Sequence, residues 1–585
     1  MYIKHTKMKL ISNAVIANLS FGRRYSSSNQ QKKTAYYHNI GKKPLVYRTL
    51  GEQLDKAVEK FPNTKAIISC HEKKSYTFST LKDEVDRLAA GFIQLGLKIG
   101  DPIGIWAPNY MHWYLTMLAA AKAGLPSVGI NPAFQGPEVD YCLKKVEVKA
   151  IVAPHVFKGT EYYNILAKLC PEMKDSKPGT LRSSRFPHLK TVIINSDEKL
   201  PGVFRFHDIL NLGDNLDSLR KLSSLKPFIS ADSPCNIQFT SGSTGKPKAT
   251  VLSHLNVVNN GILIGSRAEL GGETICVQVP LFHAFGVTIT ISAAMSCGAT
   301  MVLPAPVFKP EESLKAIANE QCTVVFGTPT MYVDLIQKQK EFPQPIESLK
   351  KGVTGGAPCS PQLFRDMKKV LGLDKIKSVF GLTETTSTVF LTMPDDPDEK
   401  IFNSVGHVLD HTEAKVIDEK GNIVFFGEPG ELCIRGHSVM LEYFKDEEKT
   451  KEILGCDKWL KTGDQFILQE DGYGKIVGRL KEMIIRGGEN IFPKEIEDIL
   501  NTHPDIIESY VIGVEDERMG EEVCAFVRLQ DGVKGLTQME VKEYFKGKIA
   551  HFKIPRYVKV VTDFPKTTSG KIQKFKLKDL FVKKL

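Results

Sequence analysis

At 585 residues, with 42% hydrophobic and 25% charged side chains, the chain has the composition of an ordinary globular protein. It is too long for one compact core, so about two or three domains are expected. The formal net charge of +11 would suit a nucleic-acid partner, but ten Lys and Arg residues fall between Lys4 and Arg48, where there is no acid, and the remainder is nearly neutral. Nucleic-acid binding is therefore not expected. The eleven cysteines form no Cys-x-x-Cys, which excludes zinc ribbons and thioredoxin-type sites.

The first 45 residues read as a leader. They are basic, acid-free and Ser-containing, with Leu10-Ile11 and Ala14–Ala17 between cationic flanks, which is the composition of a mitochondrial transit peptide. Arg23-Arg24-Tyr25-Ser26 resembles a matrix-protease processing site, so the mitochondrial matrix is the expected location. Helix and strand patterns then alternate. Leu81, Val85, Leu88, Phe92 and Leu95 make one face of a helix over 81–95, with Thr80 and Asp83 as a capping-box start. Strand 103–106, helix 111–122 and strand 126–130 follow, a βαβ spacing that argues for parallel sheets covered by helices. Further strands are expected at 186–196, 300–303 and 323–327. The apolar run Gly286–Leu303 is punctuated by Thr288, Thr290, Ser292, Ser296 and Thr300 and reads as a buried helix-to-strand passage, not a membrane span. Residues 405–478 are rich in Gly and short β-prone runs. A boundary falls near 479–482, and an α+β module follows, with helices at 494–501 and 538–548 and strands at 508–514 and 523–529.

Thr240-Ser241-Gly242-Ser243-Thr244-Gly245-Lys246-Pro247-Lys248 is the most informative stretch. It sets four hydroxyls, two glycines and two lysines directly after the apolar strand Asn236–Phe239. Backbone N–H groups, hydroxyls and ammonium charges in such a loop can wrap a polyphosphate. The spacing is not that of a Walker A loop, nor does Gly-x-Ser-x-Gly fit at 241. A solvated linker is the competing reading. Farther on stand Pro280-Leu281-Phe282-His283-Ala284-Phe285-Gly286, Val353-Thr354-Gly355-Gly356-Ala357-Pro358 and Phe380-Gly381-Leu382-Thr383-Glu384. Thr462-Gly463-Asp464, Gly478-Arg479, Arg486-Gly487-Gly488-Glu489-Asn490 and Ser569-Gly570-Lys571-Ile572 complete the set. Glu384 suits a hard cation bridging phosphate oxygens. Asp464 can accept ribose hydroxyls, and Arg479 offers a cationic fork. Taken singly, Thr-Gly-Asp is a common turn, Lys571 one cation in a lysine-rich tail, and His283 a core histidine among apolar neighbours.

Together these motifs resemble the acyl-adenylate-forming superfamily of acyl-CoA synthetases, luciferases and peptide-synthetase adenylation domains. The resemblance runs from about residue 45 to the C-terminus. Asn236–Gln238, Gly327–Met331 and His551–Pro555 are most similar to a mitochondrial subgroup of its acyl-CoA synthetases. It implies an α/β fold: a large N-terminal domain of βαβ-layered sheets with a distorted β-barrel subdomain, over 46–480, and a small mobile α+β lid over 481–585. It also implies an AMP-forming ligase that uses ATP and Mg²⁺ to adenylate a fatty acid, medium-chain by analogy, and then transfers the acyl group to CoA.

On that resemblance Thr240 to Lys246 with Lys248 would hold the phosphates. Gly355, Gly356 and Ala357 would pass the adenine edge, and Phe380, with Gly381, would stack on adenine. Thr383 would touch the α-phosphate, Glu384 would hold Mg²⁺, and Asp464 and Arg479 would bind the ribose. His283 would stand beside the acyl carboxylate, Lys571 would be the catalytic lysine of the lid, and Gly487 and Gly488 would line the pantetheine tunnel. Lys481 matches the hinge. The sequence departs from the family pattern at Ala249, where Gly is usual, and at Glu482, where Asp is usual. Adenylation with another acid or acceptor, and a silent nucleotide-binding homologue, are the alternatives. Retention of Lys571, Glu384 and Asp464 speaks against the silent one.

Overall fold

The computed structural model describes residues 32–240, 247–357, 359–486, 489–516, 518–546, 548–549, 551–568 and 570–582. Two large twisted sheets stack with helices between and outside them. One is eight-stranded, and its parallel part pairs Thr191–Asn195, Ala150–Pro154, Ile103–Trp106, Ser127–Ile130 and Pro234–Thr240 in that order. The other is nine-stranded, with Lys375–Phe380, Lys351–Gly355, Val324–Gly327, Thr274–Val277, Thr300–Leu303 and Lys65–Ser69 in parallel. Antiparallel strands finish one edge of the first, whose other edge is the short parallel strand Phe204–Arg205, and both edges of the second.

The main core unites the inner faces of both sheets with the helices between them, Phe78–Gln94, Met111–Lys122 and His254–Arg267. Met111–Ala121 is buried on every side, which is why its sequence shows no polar face. Separate cores cover the outer face of each sheet, under Gly136–Lys145 and Tyr162–Leu169 on one and under Pro310–Asn319, Pro329–Glu341 and Pro361–Leu371 on the other.

A bulged antiparallel sheet lies alongside, in the order Tyr36–Asn39, Thr412–Ile417, Pro429–Gly436, Leu460–Leu468, Gly474–Arg479. It stands where a distorted barrel was expected; its edge strands Tyr36–Asn39 and Gly474–Arg479 are not direct neighbours, and the backbone at Gly472 and Gly474 bonds to Val405, Gly406 and Val408. A fourth sheet joins Ile484–Arg486, Ile506–Asp516, Gly520–Leu529 and Tyr557–Val560, packed by Pro493–Leu500 and Gln538–Phe545 around its own core.

Three local expectations shift. The first long helix begins at Phe78, capped by Thr77 with Thr80 in the reciprocal position, because Phe78 itself is core. Thr80 is thus the third helical residue and not the cap. The strand expected over 186–196 is confined to Thr191–Asn195, since Leu189 N–H closes a turn on Phe186 O. The helix near 538–548 ends at Phe545. The apolar passage becomes a π-helix, Phe285–Ser292, then Ala293–Cys297 and the strand Thr300–Leu303. Among the described residues no helix is long and apolar enough to cross a membrane.

Parallel strands direct their carboxyl ends the same way, and ligands in such sheets bind beyond those ends. Thr240, Gly355 and Phe380 each close a strand there.

Candidate active site

A cavity of about 1500 Å³ opens beyond these strand ends, between the two large sheets and the C-terminal module. Thr240, Lys248, His283, Gly355, Gly356 and Ala357 line it. So do Phe380, Gly381, Thr383, Glu384, Asp464, Arg479 and Lys571, so that the residues named are drawn from positions 240 to 571. Ser241, Gly242, Ser243, Thr244, Gly245 and Lys246, and Gly487 and Gly488, lie outside the described residues.

The glycine-rich wall is built by close approach. Gly355 stands opposite Val379 on the neighbouring strand, and a Cβ there would collide with Val379. Gly356 has φ +82, a backbone that L side chains rarely adopt. A Cβ on Gly356 would lie 3.7 Å from the Lys571 side chain. Phe380, only 8% exposed, packs on Phe390 and Phe466 and so fixes one wall of the cavity.

Thr383 and Glu384 sit on a single 3-10 turn after that strand. Tyr443 O–H donates to Glu384 Oε1 at 2.7 Å, and Lys248 Nζ lies over the Tyr443 ring, 4.6 Å from its centroid. Burial, with the Glu384 carboxylate beside it, raises the Tyr443 pKa, so the phenol stays a donor. The next two residues are strained: Thr386 and Ser387 have φ +51 and +72, an arrangement that costs about 1–3 kcal/mol each for non-glycine residues. Asn260, from helix His254–Arg267, offsets this by donating to the carbonyls of Thr386 and Thr388 at 2.6 and 3.1 Å. Thr386 Oγ1 donates to Ser438 O at 2.5 Å. The turn that presents Glu384 is therefore locked from behind.

Asp464 and Arg479 are direct cross-strand partners, with Arg479 Nε 2.6 Å from Asp464 Oδ1. The other carboxylate oxygen, Oδ2, is buried with no hydrogen-bond partner, and the residue is 1% exposed. An orphaned buried acceptor facing a cavity costs free energy unless a ligand hydroxyl satisfies it. Burial pushes the Asp464 carboxyl up to about 6, with Arg479 opposing. The folded protein then binds this proton more tightly than the unfolded chain. Ionising Asp464 between its ordinary value and about 6 removes stability, about 3 kcal/mol at neutral pH.

His283 accepts a hydrogen bond at Nδ1 from Phe285 N–H, 3.2 Å away. That bond assigns the neutral ring its proton on Nε2, making it a donor. Burial, with the Lys571 cation beside it, pushes the His283 pKa down to about 3, so the ring is neutral at physiological pH. Lys571 is open to the cavity yet walled by protein. That enclosure lowers its pKa, Arg479 adds to the effect, and Glu384 and Asp464 oppose it. Glu482 ends the 3-10 turn Leu480–Glu482, and its Oε2 reaches Lys574 Nζ at 2.9 Å, with Glu497 on the other side of that ammonium at 3.0 Å.

Tyr443 was not anticipated from sequence. It lies in a two-residue strand, Glu442–Tyr443, which pairs with Lys248–Ser253, and Met440 N–H just before it donates to Glu384 O at 2.9 Å, so that tertiary contacts bring it beneath Glu384. No spacing in the sequence signals that neighbourhood.

An AMP-binding enzyme model matches residues 54–444, and an AMP-binding enzyme C-terminal domain model matches 495–571. The chain is 43% identical over 554 residues to the human "Medium-chain acyl-CoA ligase ACSF2, mitochondrial", covering 93% of this chain and 89% of that protein. It is 37% identical over 538 residues to the Bacillus subtilis (strain 168) protein YngI, covering 92% and 97%. ATP-bound MatB from Rhodopseudomonas palustris superposes with a TM-score of 0.77 at 25% identity, covering 91% of this chain and 99% of that one. The two models span most of the chain and every described cavity residue named above except those between 445 and 494, and the chain belongs to the AMP-binding enzyme family.

Proposed function

We propose that this protein is an ATP-dependent, AMP-forming acyl-CoA ligase for medium-chain fatty acids. One observation carries the reading: Lys571, from the end of the chain, enters the same cavity as Thr240, Glu384, Asp464 and Arg479. The identity to mitochondrial medium-chain acyl-CoA ligases supports the substrate class. The basic, acid-free first 51 residues and those same relatives support a mitochondrial matrix location. The relative from Bacillus shows that the family itself is not confined to that compartment. We divide the chain into a nucleotide-binding body, 46–480, and a lid, 481–585, hinged at Lys481 and Glu482.

In this reading Asp464 Oδ2 accepts the ribose hydroxyls, with Arg479 orienting the carboxylate. Gly355, Gly356 and Ala357 pass the adenine edge while Phe380 shapes the ring's slot. Thr240 and Lys248, with the loop between them, hold the phosphates, and Thr383 touches the α-phosphate. Glu384 would hold Mg²⁺, which would neutralise phosphate charge. A lone carboxylate on a locked turn is a fitting donor set for an ion that keeps its waters and arrives with a nucleotide. His283 Nε2–H and the Lys571 ammonium converge where a carboxylate can be held against the α-phosphorus. The acid's oxygen bonds to that phosphorus and pyrophosphate leaves, giving the acyl-adenylate. No protein nucleophile is needed, because positioning and fixed charge supply the rate. Lys571 then withdraws with the lid, and the thiolate of CoA, admitted past Gly487 and Gly488, attacks the acyl carbon and expels AMP.

Incubation with ATP, Mg²⁺, CoA and an octanoate-to-laurate series should yield AMP, pyrophosphate and acyl-CoA in equal amounts. ADP as the product would overturn the mechanism.

The Asp464 proton gives an independent check. Above pH of about 6 the carboxylate is ionised and accepts both hydroxyls, and below it protonation removes that charge. The KM for ATP should therefore climb as pH falls from 7 to 5. Asp464→Asn should show a raised KM, about tenfold, that is flat over the same range. Its Tm should not fall, since a buried ionisation has been removed. A wild-type KM for ATP that is level between pH 5 and 7 would exclude Asp464 as the titrating contact.

A further inference from the structure

The helix Pro329–Glu341 starts at the cavity rim, and Thr330 and Asp334, four residues apart, share one face of it. Both residues of that face touch the Lys571-bearing module. Thr330 Oγ1 donates to Gly570 O at 2.7 Å, one residue from Lys571, and Thr328 Oγ1 is 3.1 Å from Thr330 Oγ1. Gly570 has φ +80, and a Cβ there would lie 2.6 Å from Thr328 Oγ1, so glycine is what allows the approach. One turn along the helix, Asp334 faces two cations of the module, with Oδ2 3.3 Å from Lys566 Nζ and Oδ1 3.4 Å from Arg528 Nη2.

We propose that Asp334 is a positioning residue: an electrostatic latch that seats the module with Lys571 in the cavity for acyl-adenylate formation and must release before thioester formation. The proposal rests on the ligase reading above and deepens it. The charges around Asp334 are arranged for release. Arg528 also faces Glu508 within its own module, Nε to Oε1 2.9 Å, and Lys566 faces Asp563 at 3.6 Å. When the module swings away, both cations keep a partner, and Asp334, already 27% exposed, returns to water. Neither side strands a buried charge, which is the circumstance that makes breaking an ion pair expensive. The latch is thus strong enough to bias the closed pose and weak enough to open, as partly exposed pairs are.

The test separates the half-reactions. Asp334→Ala should slow single-turnover acyl-AMP formation by about three- to tenfold. Thioester formation from supplied acyl-AMP and CoA should be unchanged or faster. Asp334→Glu should restore most of the first rate, and raised salt should slow the wild type more than the alanine variant. A double-mutant cycle of Asp334→Ala with Lys566→Ala on acyl-AMP formation should be non-additive. Asp334→Asn, which keeps the shape, guards against a folding defect, and its Tm should match the wild type. Equal loss in both half-reactions, no loss in either, or strict additivity in the cycle would overturn the latch. If the wild type itself makes no acyl-AMP from any acid, the ligase reading fails. If it does so and the variants show no selective loss, only the latch fails.

Discussion

Lys571→Ala should slow acyl-adenylate formation by about 10²–10³-fold, the usual cost of deleting one charge-stabilising group from a preorganised site. It should leave thioester formation from supplied acyl-adenylate within a few-fold of wild type. Lys571 stands among Arg479, Glu384 and Asp464, and its pKa is set by that company: enclosure and Arg479 push it down, the two carboxylates hold it up. Its ammonium is the charge that a nucleotide's α-phosphate and an incoming carboxylate would share. Arginine would be a poor substitute, because its planar fork needs fixed partners where a single compact ammonium does not. Rapid-quench measurement of acyl-AMP in one syringe sequence and acyl-CoA in the other provides the check. Equal loss in both would mean that Lys571 stabilises the fold or the CoA step and not the adenylation transition state.

The contrast between Lys571 and its surroundings shows what one sequence can disclose. Thr240–Lys248 is a candidate phosphate cradle by composition alone, small, hydroxylated and cationic residues in close succession, and its central residues 241–246 lie outside the described residues. Strands such as Ile103–Trp106 and Thr300–Leu303 emerged at their observed bounds, since a strand buried on both faces is a short apolar run between turn residues. The start of the Phe78–Gln94 helix did not, because Thr77 and Thr80 are both capable caps and only the burial of Phe78 decides between them. Three-dimensional neighbours with no shared motif were beyond reach. Tyr443 meets Glu384 through strand pairing and the Met440 N–H bond to Glu384 O, and Asp334 meets Lys566 and Arg528 through the seating of one module on another. His283 was ambiguous as a residue type. Its hydrogen bond from Phe285 N–H and its place on the cavity wall make it a neutral donor.

Glu384→Gln should be the second severe variant, and Tyr443 makes its interpretation clean. Glutamine can still accept the Tyr443 hydroxyl through Oε1, so the 2.7 Å contact and the turn around Thr386 and Ser387 can persist while the negative charge is lost. The strain in that turn matters here. Asn260 holds the carbonyls of Thr386 and Thr388 from the far side, so the backbone under residue 384 does not depend on its charge. The expected result is acyl-AMP formation slowed by about 10²-fold with little change in Tm, since what is removed is charge complementarity to a hard cation and not packing. The second readout is nucleotide binding by calorimetry across a Mg²⁺ titration. In the wild type, affinity for ATP should strengthen as Mg²⁺ is added, and in Glu384→Gln that gain should shrink and shift to higher Mg²⁺. Tyr443→Phe should give a milder version of the same shift, because the carboxylate keeps its charge but loses the hydroxyl that orients it. Should Glu384→Gln bind ATP with an unaltered Mg²⁺ dependence, the carboxylate is serving the turn alone, and the cation must be held by the phosphates and water without it.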